Sequence, residues 1–372
     1  MKILHINTTL QGGAGLACRR LNDSLRSIGV DSQTLSLYGD VQDYHVAFLS
    51  NSIQRWSYKT KVKIRQKPFK GDSYYPVRTY DGWYDLSNHP LVKAADLIHL
   101  HWVANFLDVS KFLTTCRKPV VWTLHDEHPL NGYYHYSEGT DKSKFTRILE
   151  SQKKHLAEAY KKENLRWIGP SKWMCRQAKS AGLIRSEQVH HIPNPLFGPF
   201  AASSSKHGGL NFLFVSAYLN NPAKGFDLAL DAFKAFQKEQ TEAQLQVIGQ
   251  GQAVQQEGVQ YHGFKSPEEI STFYQSADAL LFPSWIDNYP NTVLEAQACG
   301  CPVIVLDRGG LPEMIQDGTN GLITTPEELT HALRESLSID WDRQLISKTV
   351  LDLHAPDQIA KKYKAVYQEL LS

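Results

Sequence analysis

The chain reads as an α/β protein of two Rossmann-like domains with parallel sheets, and three observations carry that expectation. Short β-branched runs alternate with amphipathic helical stretches, the pattern of parallel strands joined by crossover helices. That pattern runs to about residue 195, breaks, and restarts over a stretch of similar size. The break, Ile192-Pro193-Asn194-Pro195 followed by the small, polar Ala201–Gly209, has the composition of a linker.

In the first half, Lys2–Ile6, Gln33–Leu37, Asp96–Leu100, Val120–Leu124 and Arg166–Gly169 read as strands, and Gly15–Ser27, Lys142–Tyr160 and Lys172–Ala181 as helices. In the second half, strands are expected at Asn211–Ser216, Gln244–Ile248, Val259–Tyr261, Ala279–Phe282 and Val303–Leu306. Helices fit Phe226–Gln237, Pro267–Tyr274 and Thr292–Cys299. These give a first domain over 1–195 and a second over 196–356. A last helix, at about 357–372, follows the second sheet and is free to return to the first. Two such domains facing one another would leave a cleft lined by strand C-terminal ends, the usual place for a ligand.

Composition narrows the function classes. The chain has 372 residues, 42% apolar and 21% charged, close to the soluble globular average and unlike a disordered chain. Its apolar runs, such as Ala277–Trp285, fall well short of the roughly 20 residues a membrane span needs. The N-terminal Met1-Lys2-Ile3-Leu4-His5-Ile6 passes straight into polar Asn7-Thr8-Thr9, so no secretory leader is expected. Five scattered cysteines without CxxC spacing suggest reduced thiols and a cytoplasmic protein.

Charge is unevenly spread. Residues 1–195 hold 28 Lys/Arg against 17 Asp/Glu, a net +11, and residues 196–372 hold 12 against 21, a net −9. The two halves therefore face different partners. The densest basic stretch, Arg55 to Lys70, includes Lys59, Lys61, Lys63, Arg65 and Lys67, with Trp56, Tyr58 and Phe69 interleaved. It suits a solvated face or a surface for anionic lipid headgroups or phosphate. Nucleic acid ranks behind these, because the rest of the chain is not basic.

The richest motif is Pro283-Ser284-Trp285-Ile286-Asp287-Asn288-Tyr289-Pro290-Asn291-Thr292-Val293-Leu294-Glu295, between an apolar strand and a helix, followed by Ala298-Cys299-Gly300-Cys301-Pro302-Val303. Thr292-x-x-Glu295 fits a capping box and Gly300 a helix stop. Neither accounts for Asp287 or the polar loop up to Asn291. Free N–H groups at Asn291, Thr292 and Val293 would suit a phosphate, and the Glu295 carboxylate a ribose diol. Lys224-Gly225 precedes a helix, where a cation opposes the helix dipole unless an anion joins it.

The glycine run Gln11-Gly12-Gly13-Ala14-Gly15 lies between the first strand and first helix. Asn7–Gln11 intervene after the strand, and Asp40 comes only well along, so a dinucleotide fingerprint fits poorly. Backbone approach of Gly12 and Gly13 to a phosphate or sugar fits better. Histidines cluster at His99, His101, His125, His128 and His135. His99 and His101, two apart on a strand end, share a face. With His125 they keep a metal-dependent hydrolase open as a competing reading. Asp340-Trp341-Asp342 lies late in a helical stretch and reads as surface.

An acidic residue, seven residues, then Glu, followed by Gly-x-Pro-Val, resembles the donor-site motif of glycosyltransferase family 4, retaining enzymes of the GT-B fold. Gly309-Gly310-Leu311-Pro312-Glu313 and Asn320-Gly321-Leu322 extend the resemblance. Within that family the chain resembles the colanic-acid-type polysaccharide transferases, through Thr123-Leu124-His125-Asp126 and His135-Tyr136.

The resemblance implies that Asp287 holds sugar hydroxyls, Glu295 the ribose, Lys224 the leaving diphosphate, and His125 the donor sugar. The family's usual Arg a few residues before the Lys-Gly is missing from Ala217–Asn221. By position, the nucleobase is expected at His262-Gly263-Phe264-Lys265. The implied function is metal-independent, cofactor-free transfer of a hexose from a UDP- or GDP-sugar to a carbohydrate acceptor. A lipid-linked oligosaccharide in surface or exopolysaccharide synthesis is expected, with Lys59, Lys61 and Lys63 against an anionic membrane and the protein peripheral at its inner face. A sugar-nucleotide epimerase of the same fold and a non-catalytic sugar-nucleotide-binding subunit compete with this reading.

Overall fold

The computed structural model describes residues 1–39, 44–66, 82–132, 134–138, 146–203, 209–251 and 256–372. Asp40, Lys67, Phe69, Lys70 and the start of the helix expected from Lys142 lie outside the described residues. The chain divides into two compact units, Met1–Pro195 with Pro356–Ser372, and Leu196–Ala355.

The strands of the first unit are β1 (Lys2–Asn7), β2 (Asp31–Ser36), β3 (His45–Ala47), β4 (Leu97–Leu100), β5 (Val120–Thr123), β6 (Leu165–Gly169) and β7 (Val189–His191). They form one parallel sheet in the order β3-β2-β1-β4-β5-β6-β7. The second unit holds β8 (Asn211–Tyr218), β9 (Gln244–Gln250), β10 (Val259–Tyr261), β11 (Ala279–Phe282), β12 (Val303–Leu306) and β13 (Gly321–Thr324). Their order, β10-β9-β8-β11-β12-β13, is again all parallel. The order in which strands are added reverses between β1 and β4 in one sheet and between β8 and β11 in the other. In open α/β sheets such switch points carry the ligand at the strand C-terminal ends.

Central strands are buried on both faces, as parallel sheets covered by helices require. β4, β5, β11 and β12 are buried at every residue. In the first unit Leu4, Ile6, Ile98, Leu100 and Trp122 pack to one side of the sheet. Ile3, Leu97, Val121 and Ile168 pack to the other, under Leu21 and Leu25 of the helix Gly12–Ser27. The helix Pro356–Leu371 closes that second side with Ile359, Ala360, Tyr363, Val366 and Tyr367, an apolar stripe at helical spacing.

Two sequence expectations need correction. The first helix begins at Gly12, not Gly15, so Gly12 and Gly13 form its first turn and not a preceding loop. Thr292 and Glu295 make no capping box. The helix is Asn291–Ala298, its N-cap is Pro290, and no side chain caps it. Proline fixes φ close to the value a helix entry needs, so the boundary falls one residue before the threonine. The run from Arg55, open in the sequence between a loop and a helix face, belongs to a helix, Ser52–Gln66, as far as that run is described.

Candidate active site

The second unit gathers its motif residues at the switch point beyond β8 and β11. After β8 the chain makes a 3-10 turn, Pro222–Lys224, whose N-cap Asn221 accepts from the Ala223 N–H at 3.1 Å. After β11 it passes through Pro283–Asn288. The two loops are tied together: the Trp285 N–H and the Ser284 hydroxyl donate to the Ala223 carbonyl at 2.9 and 3.0 Å. Gly225, at φ 68°, lies against the Pro283 carbonyl, where any Cβ would collide. Lys224 is thereby set beside Asp287, and its Nζ donates to Asp287 Oδ2 at 2.6 Å. The other carboxylate oxygen accepts from the Asn288 N–H at 3.0 Å.

A third loop fixes Asp287 from behind. The Gly310 N–H donates to the Asp287 carbonyl at 2.8 Å, and Gly309, at φ 62°, has no room for a Cβ against the same carbonyl. This is the structural content of the Gly309-Gly310 pair. A few residues on from Asp287, the helix Asn291–Ala298 starts without a side-chain cap, which leaves its first N–H groups to be satisfied by other partners. Glu295 is buried in its second turn, with the Tyr274 hydroxyl 3.5 Å from Oε2. A neutralised cation, a fixed carboxylate and an uncapped helix entry thus share one loop system. Its positive end suits an anion.

Beyond β10, Gly263 adopts φ 66° with open space where a Cβ would be, and Phe264 is 73% exposed. The neighbouring His262 Nε2 is 2.6 Å from Gln246 Oε1. An exposed ring at this position offers a flat apolar face.

The first unit places its candidates around the C-terminal ends of β1, β4 and β5. Gly12 and Gly13 sit beyond β1, and among the described residues nothing outside their chain neighbours and own helix backbone lies within 4 Å of a Cβ position. His125 follows β5, and its Nε2 is 2.9 Å from His101 Nδ1. Beside it, His135 Nδ1 is 2.6 Å from Asp126 Oδ2, and the His135 ring stacks on Trp102 at 5.5 Å. Burial pushes the Asp126 carboxyl up, but the facing His135 and the His128 N–H more than offset it and hold it below the usual carboxylate range.

Thr8, Tyr38, Tyr58, Trp102 and Asn105 line a pocket of about 280 Å³ together with Lys59 and Lys63. Lys61 leaves this group, with its Nζ 5.9 Å from the Trp83 ring centre.

His99 and His101 share a face as expected, but the residue that joins them is His5, which nothing in the sequence singled out. Parallel pairing of β1 with β4 sets His5 opposite His99, and the nitrogens of His5, His99 and His101 come within 4.8 Å of one another. Each ring is already engaged. His99 Nδ1 meets the Tyr367 hydroxyl at 2.7 Å and Nε2 the Thr123 hydroxyl at 2.8 Å, while both nitrogens of His5 and of His101 are hydrogen-bonded. The arrangement is a hydrogen-bonded network in which coordination would have to displace existing partners. Asp342 caps the helix Arg343–Leu353, accepting from the Leu345 N–H at 2.9 Å, a surface role.

Residues 209–338 match the family described as Glycosyl transferases group 1. A D-inositol 3-phosphate glycosyltransferase of Corynebacterium kroppenstedtii is 37% identical over 84 residues, 22% of this chain and 18% of the relative. An uncharacterized glycosyltransferase of Methanocaldococcus jannaschii is 27% identical over 180 residues, 44% of this chain and 49% of the relative. The chain thus spans less than half the length of these curated relatives.

Solved structures match over the whole chain. Sucrose-phosphate synthase from Thermosynechococcus elongatus superposes with a TM-score of 0.69 at 14% identity, covering 100% of this chain and 99% of that one. Anabaena HepE in complex with UDP gives 0.67 at 17% identity, covering 99% and 100%. The protein therefore has the GT-B fold, and residues 209–338 of its second unit match the family described as Glycosyl transferases group 1.

Proposed function

We propose that this chain is a retaining glycosyltransferase that moves a hexose from a UDP- or GDP-linked donor to a carbohydrate acceptor. The observation that carries this reading is the Lys224–Asp287 pair at the β8/β11 switch point, beside the uncapped helix entry at Asn291. Lys224 and the N–H groups of Asn291, Thr292 and Val293 receive the diphosphate. Asp287 accepts from sugar hydroxyls, Glu295 takes the ribose diol, and Gly263 and Phe264 lie under the base. Within the first unit by itself, His125, Gly12 and Gly13 are the residues proposed to meet a sugar or phosphate.

The hard step is departure of the nucleotide diphosphate while positive charge grows on the sugar ring. Pre-placed charge dominates such a step. The C1–O bond to phosphate breaks and the acceptor oxygen bonds C1 on the same face. The departing phosphate oxygen takes the acceptor's proton, so neither a carboxylate nucleophile nor a metal ion is needed. Before binding, Asp287 neutralises Lys224. An incoming diphosphate replaces that carboxylate and releases it to the sugar.

The acceptor is assigned to the basic first unit, as a lipid-linked oligosaccharide presented at an anionic membrane surface. The helix Ser52–Gln66 supports this: it carries five Lys/Arg and no acid. Among the described residues no helix is long and apolar enough to cross a membrane.

The deciding experiment is thermal shift with UDP, GDP, ADP and their sugars in EDTA, on wild type, Lys224→Ala and Glu295→Ala. A ligand at a hundredfold its dissociation constant stabilises the folded state by about 2.7 kcal/mol. One nucleotide is expected to do so without metal, and both variants to lose the effect. Stabilisation by none, or only with added metal, would overturn the proposal. Donor turnover without acceptor would point to an epimerase. Binding with no nucleotide release under any acceptor would point to a non-catalytic subunit.

A further inference from the structure

One side of the first sheet carries a stack of four histidines. His99 and His101 have ring centres 4.3 Å apart, His5 lies 4.9 Å from His99, and His101 lies 5.2 Å from His125. Hydrogen bonds connect three of them in series from a buried serine outward. Ser32 Oγ meets His5 Nε2 at 3.1 Å, His5 Nδ1 meets His101 Nε2 at 2.9 Å, and His101 Nδ1 meets His125 Nε2 at 2.9 Å. Burial holds these rings neutral: His5 is pushed down to about 3, His125 to about 4, and His101 well below its ordinary value.

A neutral imidazole has one N–H and one lone pair. Three in series satisfy every link only if all point the same way. A reversed ring would leave one link with two opposed protons and another with none, and unmet buried polar groups are costly.

The direction is fixed at the buried end. The Asn22 amide nitrogen is directed to Asp23 Oδ1 at 3.4 Å, which turns the Asn22 carbonyl oxygen to Ser32, and the Ser32 hydroxyl donates to it at 2.8 Å. Ser32 Oγ therefore accepts from His5 Nε2–H, His5 Nδ1 accepts from His101 Nε2–H, and His101 Nδ1 accepts from His125 Nε2–H.

We propose that this series locks His125 in the Nε2–H tautomer, so that Nδ1 is an obligate hydrogen-bond acceptor and the enzyme selects a neutral donor sugar with a hydroxyl there over a hexuronate. Asn22, Ser32, His5 and His101 are positioning residues in this scheme. The sugar-selecting part rests on the reading that His125 meets the donor. A carboxylate facing a lone pair has no proton to share, whereas a hydroxyl has one.

The tautomer is read on the ligand-free full chain from the nitrogen-15 shifts of labelled histidine at neutral pH, with His125→Gln identifying the signals. His125 is expected to show a protonated Nε2 and a bare Nδ1. The reverse pattern, or an imidazolium, would overturn the lock.

Binding of UDP-glucose against UDP-glucuronate, and of GDP-mannose against GDP-mannuronate, tests the selection, with UDP and GDP as references. The uronate is expected to bind about tenfold or more weakly than the hexose. Ser32→Ala should narrow that gap without changing UDP or GDP binding, and Ser32→Thr should restore it. Equal affinities in the wild type, or a Ser32→Ala that weakens nucleotide and nucleotide-sugar alike, would overturn the selection. Loss of all nucleotide binding with the expected tautomer in place would overturn the donor-site reading, and the selection with it, while the lock stands.

Discussion

A methyl group at Gly309 would strike the Asp287 carbonyl, and one at Gly225 the Pro283 carbonyl, both on backbone with positive φ. These glycines hold the loops that bring Lys224 to Asp287, so they belong to the frame and not to a ligand surface. Gly309→Ala is expected to cost about 2 kcal/mol or more, measured by urea unfolding, and to weaken nucleotide stabilisation as well. Gly13→Ala should behave in the opposite way. Among the described residues, no atom beyond its chain neighbours and its own helix backbone lies within 4 Å of the added methyl, so stability should change by less than about 1 kcal/mol while donor affinity falls.

The placing of Lys224 and Asp287 in turns that follow apolar strands, and of Glu295 in the helix after them, was legible in the sequence; the contact between Lys224 and Asp287 was not. Thr292 was misleading, since its spacing to Glu295 satisfies a capping pattern that Pro290 pre-empts. His5 was hidden, a polar residue between the apolar Leu4 and Ile6 whose importance depends on a neighbour 94 positions away.

Elements were legible where periodicity and burial agree, as in the central strands and the helix Phe226–Gln237. Edge strands β3, β7 and β10, of three residues each, are set by pairing more than by local sequence; only β10 was visible in advance. The helix Ser52–Gln66 was ambiguous for a different reason. It has two apolar faces: Tyr58 and Val62 turn toward the unit, while Ile53, Trp56 and Ile64 turn outward at 77, 70 and 68% exposure. At 100° per residue the outward three span one narrow stripe, with Lys59 and Lys63 on one flank and Lys61 on the other. Such a stripe, flanked by lysines, would suit the plane of an anionic bilayer surface, which is what the proposed membrane contact requires.

Co-sedimentation with phosphatidylglycerol-containing vesicles is expected for the wild type. It should be lost in Trp56→Glu and weakened in a Lys59→Gln, Lys61→Gln, Lys63→Gln triple variant. Binding that ignores anionic lipid, or survives both changes, would remove the membrane from the proposal.

At the scale of the molecule, proton uptake couples the histidine stack to stability. Unfolded histidines titrate near 6.5. Folded His5 and His125 titrate at about 3 and about 4 through burial, and His99 and His101 well below the ordinary value through burial first and the neighbouring histidines second. Below pH 6.5 the unfolded chain therefore holds more protons than the folded one, and stability falls with pH until the folded values are reached. Each ring contributes up to about 1.4 kcal/mol per pH unit in that window. The urea midpoint of the first unit is expected to drop steadily from pH 7 to pH 5. A flat profile would show that the rings are already charged or reached by solvent in the folded state.

The alternation of strands and helices, repeated across a proline-rich break, made both sheets legible in outline. The destination of the last helix was not, because its apolar stripe has no local partner.

That last helix makes the first unit discontinuous, which imposes an order on synthesis and folding. As the chain leaves the ribosome, the face formed by Ile3, Leu97, Val121 and Ile168 must wait for Tyr363 and Tyr367 until all of Leu196–Ala355 has been made. The intervening unit solves part of the problem by its own folding. Its two ends meet where the Leu196 N–H donates to the His354 carbonyl at 3.0 Å. Once it has folded, a long loop is already closed and the terminal helix emerges beside the point where the first unit left off. The entropy of that closure is absorbed by the second unit, which acts for the first as a clasp delivered in sequence.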